Sequence, residues 1–203
     1  MKKIILASNN AHKIGEIREI LKDLDFEIKS LKDEGIDIDV EEDGKTFEEN
    51  AKKKASEIAK YLREKGQSDF IVMADDSGLE VAYLNGEPGI YSARYAGEHG
   101  NDMANNEKLL KKLKGIPVSK RTGRFVCVIA LIDNNDKYIS IRGEAEGIIK
   151  EELSGKGGFG YDPLFYYEPL NKTFSEMSLE EKNKVSHRGA ALEKLRTELE
   201  KYK

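Results

Sequence analysis

Two adjacent carboxylates, Asp75 and Asp76, follow an apolar stretch at residues 70–74 and run into Ser77-Gly78. Adjacent carboxylates are costly without a cation. On a strand they point to opposite faces and can divide their roles, one on a metal and the other on a water. Asp-Ser-Gly is also ordinary turn chemistry, and for the motif alone the two accounts weigh equally. Upstream, Asp37, Asp39, Glu41, Glu42 and Asp43 fall within one short stretch. A solvated loop favouring the start of the next helix explains most of them. A glutamate serving as a Mg²⁺ ligand is the sharper reading, since that ion prefers oxygen donors and retained waters.

Cationic and glycine-rich segments supply the complementary chemistry. Ser8-Asn9-Asn10 with Lys13 sits where a strand gives way to a helix, a place for an ordinary N-cap or for an anion held by amides and a lysine. Lys54 lies on the apolar-striped side of its helix, as a snorkelling side chain or a phosphate ligand. Gly155-Lys156-Gly157-Gly158-Phe159-Gly160-Tyr161-Asp162 lacks the spacing of a Walker phosphate loop. Its aromatics, Phe159 and Tyr161, suit stacking on a base, with Asp162 accepting from a base edge or holding the loop. A mobile glycine loop is the plain alternative. Ser186-His187-Arg188, with Lys182 just before, opens the last helix as a helix start or a further ligand-facing cluster.

The elements that must position these residues follow from periodicity. Residues 2–7 read as a buried strand, and Ile14, Ile17, Leu21 and Leu24 recur at helical spacing. Residues 26–31 form a second strand. Thr46 with Glu49 offers a capping box for a helix carrying Phe47, Ala51, Ala55, Ile58 and Leu62. Residues 70–74 are a strand, 79–84 a strand or bend, 85–100 a loop, and 101–113 a helix. Residues 124–132 and 137–149 flank Asp133-Asn134-Asn135-Asp136 as a hairpin. A short strand at 163–167 and a helix over 186–203 close the chain. This alternation predicts one mixed-sheet α/β or α+β domain over residues 1–203.

Composition narrows the class. The chain has 203 residues, 38% hydrophobic and 35% charged, with a net charge of -4. Mean hydropathy is -0.62 and the isoelectric point about 5.6. That balance argues against a general nucleic-acid binder but leaves a small anionic substrate open. The longest apolar run, residues 125–132, is too short for a membrane span, and the N-terminal residues do not resemble a signal peptide. The single cysteine, Cys127, excludes an intrachain disulfide and a cysteine-based zinc cluster. A cytoplasmic location without membrane contact is expected.

Taken in order, six motifs resemble the inosine triphosphate pyrophosphatases, which act on aberrant purine nucleoside triphosphates. They are Ser8-Asn9-Asn10-x-x-Lys13-x-x-Glu16, Glu42-x-Gly44-x-Thr46-Phe47-x-x-Asn50-Ala51-x-x-Lys54-Ala55, Ala74-Asp75-Asp76-Ser77-Gly78-Leu79, Pro88-Gly89-Ile90-Tyr91-Ser92-Ala93-Arg94-Tyr95, Gly158-Phe159-Gly160-Tyr161-Asp162-Pro163 and Glu181-Lys182-Asn183-x-x-Ser186-His187-Arg188. The resemblance covers almost the whole chain. It departs in Ser-Asn-Asn where Thr-Gly-Asn is common, and in Tyr161 where some members carry tryptophan.

The resemblance implies an elongated two-lobed fold around a mixed, twisted sheet flanked by helices, with the active-site cleft between the lobes. It implies Mg²⁺-dependent hydrolysis of ITP, XTP and their deoxy forms to monophosphate and pyrophosphate. Ser8, Asn9, Asn10 and Lys13 would contact the triphosphate, with Lys54 assisting. Glu42 and Asp76 would hold metal with Asp75 supporting, and Asp76 would accept the proton of the attacking water. Ser77 would touch substrate; Phe159, Gly160, Tyr161, Asp162, Lys182, His187 and Arg188 would surround the base. A homodimer is implied, and Ile90, Tyr91 and Tyr95 suit an interface or internal loop packing. The rival readings are a septum-inhibitor-like pyrophosphatase acting on pyrimidine or modified nucleotides, and a non-catalytic nucleotide-binding module.

Overall fold

The structure, a computed structural model, describes residues 2–202. Five strands and five helices of useful length alternate: β1 (Lys2–Leu6), α1 (Ala11–Leu21), β2 (Phe26–Ser30), α2 (Phe47–Glu64), β3 (Ile71–Val81), α3 (Asp102–Lys112), β4 (Thr122–Asp133), β5 (Tyr138–Ile149), α4 (Leu179–Val185) and α5 (His187–Leu199). Two short strands, β6 (Phe165–Tyr167) and β7 (Lys172–Thr173), complete a seven-stranded sheet of order β2-β1-β3-β4-β5-β6-β7. β1 pairs in parallel with β2 and β3, setting Ile4 opposite Ile71 and Leu6 opposite Met73. β6 pairs antiparallel with both β5 and β7, so the sheet is mixed, as the alternation predicts.

The chain divides into two compact units. The first comprises the residues up to Asp76, Cys127–Gly143 and the residues from Arg188 onward; the second comprises Ser77–Val126 and Glu144–His187. In the first, Ile17 and Leu21 of α1 and Leu192, Leu195 and Leu199 of α5 bury against Ile4, Leu6, Ile71, Met73 and Ile129. Each such side chain contributes roughly 1.5–3 kcal/mol on full burial. The second has its own core, in which Leu109 and Leu113 beside α3's end meet Leu79, Phe125, Ile149, Tyr161 and Phe165. There the buried Arg121 guanidinium donates to the carbonyls of Leu113, Ile149 and Lys150 at 2.9, 2.8 and 2.7 Å, fixing the end of α3.

Several expectations change in detail. β3 runs without a break through Asp75, Asp76, Ser77 and Gly78, so this segment is strand and not a turn. Burial on both faces keeps it extended; nine of its eleven positions are buried. α1 stops at Leu21, leaving Leu24 in the following turn. Residues 85–100 contain a 3-10 helix over Gly89–Arg94. α4 and β7 carry too few residues to display a period and escape the sequence reading. Thr46 caps α2 by accepting from the Glu49 amide, but the Glu49 carboxylate accepts from Lys45, one residue before the capping-box position. α5 ends at Leu199; residue 203 lies outside the described residues. Among the described residues, no helix is long and apolar enough to cross a membrane.

Candidate active site

Because side chains alternate along β3, Asp75 shares its face with Ile71 and Met73, toward α1 and α5, whereas Asp76 faces Lys54 of α2. The Asp75 carboxylate is fully buried and both oxygens are occupied. Lys13 Nζ donates to Oδ1 at 2.6 Å, and Arg188 Nε donates to Oδ2 at 2.8 Å. Cys127 Sγ donates to Oδ2 at 3.1 Å. Glu16 pairs with the other end of the Arg188 guanidinium. Two carboxylates thus face two cations, and the cluster balances. Burial pushes Asp75 upward, but Arg188 and Lys13 outweigh it and hold the carboxyl well below its ordinary value. Burial and the neighbouring Asp75 push the Cys127 thiol well up.

A second cluster of the same unit gathers on Lys54. Lys54 Nζ pairs with Glu42, lies 3.8 Å from an Asp76 oxygen and donates to the Asp75 carbonyl at 2.8 Å. Lys54 therefore serves both carboxylates. Burial raises the Asp76 carboxyl to about 6; Lys54 and Lys13 pull it down, Glu42 pushes it up, and the Asn50 side chain pulls it down. Asn50, buried in the apolar stripe of α2, also accepts from the Gly44 amide at 2.8 Å. A Cβ on Gly44 would come within 2.6 Å of that Asn50 oxygen, so glycine is required where the Glu42 loop meets the helix. Among the described residues, no three His, Cys, Asp or Glu side chains cluster as a metal site. Two carboxylates converging on one point, Glu42 and Asp76, nonetheless offer the oxygen donors that fit Mg²⁺, which takes one or two carboxylates and completes its shell with phosphate and water.

At the start of α1, Asn10 is the N-cap, its Oδ1 accepting from the His12 and Lys13 amides at 3.0 and 3.1 Å. Ser8 Oγ accepts from the Asn10 amide at 3.1 Å. Asn9 and Asn10 remain exposed. The Ser-Asn-Asn segment is thus an ordered N-cap, with Lys13 reaching from the first turn to Asp75.

The second unit gathers the remaining candidates. Lys182 Nζ donates to Asp162 Oδ2 at 2.6 Å in a buried pair and lies 4.7 Å from the centroid of Phe159. Asp162 Oδ2 also accepts from the Phe159 amide at 3.0 Å. A Cβ on Gly158 would fall 2.2 Å from Asp162 Oδ2, and its φ of +72° also demands glycine. The His187 ring stacks on Phe125 with centroids 4.7 Å apart. Ser77 sits half-buried on β3.

Three residues take places that the motif reading does not anticipate. Tyr161 is 3% exposed and donates its hydroxyl to the Ser92 carbonyl at 2.8 Å, so its ring belongs to the core and Phe159 is the half-exposed aromatic. The Gly160 amide is spent on Asp102 at 2.7 Å. Arg188 is fully buried on Asp75 and Glu16. Of the two places open to the 89–95 stretch, Tyr95 takes internal packing, in the core under Lys108, whereas Tyr91 is 57% exposed. Glu16, Asn50, Cys127, Asp102 and Asn106 carry no role in the sequence reading. Asn50 and Asn106 leave one trace there, as polar residues at apolar positions of amphipathic helices.

Comparisons with known proteins place the chain in a family. The model of the Ham1 family matches residues 4–198. A dITP/XTP pyrophosphatase of Clostridium perfringens is 64% identical over 199 residues, covering 98% of each chain. The structure of the Staphylococcus aureus Ham1 protein superposes with a TM-score of 0.86 at 45% identity, covering 100% of both chains. That of a HAM1 protein from Coxiella burnetii gives 0.86 at 42% identity, covering 99% of this chain and 100% of the other. With the family model spanning nearly every element and a relative this similar over almost the whole chain, this chain belongs to the Ham1 family.

Proposed function

We propose that this protein is a Mg²⁺-dependent nucleoside triphosphate pyrophosphatase that hydrolyses ITP, XTP and their deoxy forms to the monophosphate and pyrophosphate. The observation that carries the reading is the convergence of Glu42 and Asp76 on Lys54, with Asp76 raised to about 6. It is supported by the dITP/XTP pyrophosphatase name of the Clostridium perfringens relative.

Glu42 and Asp76 would hold the metal, which when bound supplies positive charge to the triphosphate and to developing charge at phosphorus. Asp75 does not ligate in this reading; its oxygens are committed to Lys13, Arg188 and Cys127. Lys13, Lys54, Ser8, Asn9 and Asn10 bind the phosphates, through side-chain cations and the amide-rich start of α1. Asp76, ionised at neutral pH but more basic than an ordinary carboxylate, accepts a proton from the water that attacks the α-phosphorus. Pyrophosphate leaves with its charge met by lysines. Ser77 contacts substrate. In the second unit Phe159 stacks on the base, Asp162, Lys182 and His187 surround it, and Gly160 and Tyr161 shape the loop. Arg188 acts from the Asp75 cluster. The enzyme works in the cytoplasm as a homodimer, with exposed Tyr91 at the interface.

A substrate panel with Mg²⁺ tests the reading. Turnover of ITP and XTP well above that of the pyrimidine triphosphates is expected. Preference for pyrimidine or modified nucleotides would favour the septum-inhibitor-like activity, and binding without turnover would make the protein a nucleotide-binding module.

A further inference from the structure

We propose that Asp102 and Asn106, one turn apart at the start of α3, are positioning residues that fix the loop carrying Phe159 and thereby set base discrimination. This rests on the reading that the loop faces the purine. Gly160 adopts φ +60°, and both of its peptide groups are held by α3. Its N–H donates to Asp102 Oδ2 at 2.7 Å, and its carbonyl accepts from Asn106 Nδ2 at 2.8 Å. Asn106 Nδ2 also donates to the Asp102 carbonyl at 2.7 Å, so two acceptors settle which end of the amide faces Gly160. Both side chains serve one residue 54 to 58 positions away, far more than helix capping needs.

The loop is pinned again on the other side of Phe159. The Gly157 amide donates to the Ser175 carbonyl at 3.0 Å, and the Ser175 hydroxyl donates to the Gly157 carbonyl. The Phe159 amide is held by Asp162. The backbone on both sides of the aromatic ring is therefore anchored, to Ser175 before it and to α3 after it. Asp102 and Asp162 make the charge-assisted bonds among these, the stronger kind, with that to Asp102 the shorter. Asn105, next to Asn106, does similar work elsewhere, accepting from the Ala96 amide at 2.7 Å, and it anchors α3 itself. A loop held this way gives Phe159 one position. A purine and its mispaired competitor are then compared against a fixed surface.

The test uses the full chain with Asp102→Ala, Asn106→Ala and the conservative Asp102→Asn, which keeps an acceptor oxygen. Steady-state kinetics are measured for ITP and ATP, together with inhibition by inorganic tripolyphosphate, a probe of the phosphate groups alone. Displacing a positioned group costs on the order of 10–100-fold, so kcat/KM for ITP should fall by that amount in either alanine variant. The loss should lie in KM with kcat little changed, the ITP-to-ATP ratio should shrink, and tripolyphosphate inhibition should stay as in the parent. Asp102→Asn should recover most of the loss. If Asp102→Ala does not fold, Asn106→Ala and Asp102→Asn carry the same comparison. Unchanged ITP KM and selectivity in folded variants would overturn the proposal, as would a parallel loss of tripolyphosphate binding. A parent protein that does not prefer ITP over ATP is a different result, and it rejects the functional reading itself.

Discussion

Asp75 and Asp76 are neighbours on β3, yet the two faces of the sheet drive their carboxyls in opposite directions. Asp75 is held well below its ordinary value by Arg188 and Lys13 against the cost of burial, whereas burial raises Asp76 to about 6. One carboxylate stabilises the fold and the other is held at the fold's expense. The pair therefore yields opposite mutational signs.

Replacing Asp76 with Asn keeps the shape but removes the basic oxygen, and turnover should fall by about 10²–10⁴ or more. The metal-free variant should at the same time be more stable than the parent at neutral pH. Between pH ~4 and ~6 the folded state binds more protons at Asp76 than the unfolded chain does, so stability contributed there falls as pH rises. A rise from 3.8 to about 6 corresponds to on the order of 2–3 kcal/mol at pH 7. Urea denaturation in the absence of divalent metal, at pH 4.5 and pH 7.5, measures the gap. A gap that does not widen with pH would contradict the assignment.

Asp75→Asn should do the reverse. It removes the carboxylate charge that pairs with buried Lys13 and Arg188, and breaking a buried ion pair costs about 3–5 kcal/mol. Because the folded pKa is depressed, this contribution is present above the unfolded carboxylate range and is lost as pH falls below it. Equal stability of variant and parent at pH 7 would show that the cluster is not coupled as drawn.

Much of this was legible in the residues. The two-fold alternation that separates Asp75 from Asp76 follows from their being adjacent on a strand, and the long hairpin follows from the polar 133–136 connection. Lys54 stands out as a cation on the apolar stripe of α2 before any partner is known, open to snorkelling or to a phosphate. What the sequence hides are partners far apart in the chain. Nothing local tells that Arg188 meets Glu16, 172 positions away, or that Asp102 reaches Gly160. Tyr161 shows the converse limit, since an aromatic in a glycine loop reads alike whether it stacks on a ligand or packs inward. Seven-residue α4 has too few positions to reveal a period.

Glu42→Gln should shift metal dependence more than maximal rate. The substitution removes a charge from the pair that shares Lys54, so half-maximal activity should need more Mg²⁺, with activity recovering at saturating metal. Titrating Mg²⁺ at fixed ITP measures this. An unchanged midpoint would remove Glu42 from the ligand set.

Base selectivity should follow the oxygen at purine position 6. Hypoxanthine and xanthine present an acceptor there and adenine a donor, and unpaired polar groups at a buried site can cost up to roughly 10⁴–10⁵ in specificity. Lys182, paired with Asp162, and His187, stacked on Phe125, are the side-chain donors the motif reading places around the base in the second unit. ITP and XTP should exceed GTP in kcat/KM, with GTP above or comparable to ATP. Side-by-side kinetics of the four nucleotides check the order, and ATP hydrolysed as well as ITP would refute it.

The central claim is water attack at the α-phosphorus, and product analysis in ¹⁸O-water with ITP and Mg²⁺ tests it most directly. The expected products are inosine monophosphate carrying one ¹⁸O and unlabelled pyrophosphate, with no orthophosphate formed directly. Label in pyrophosphate, or orthophosphate as the first product, would contradict it.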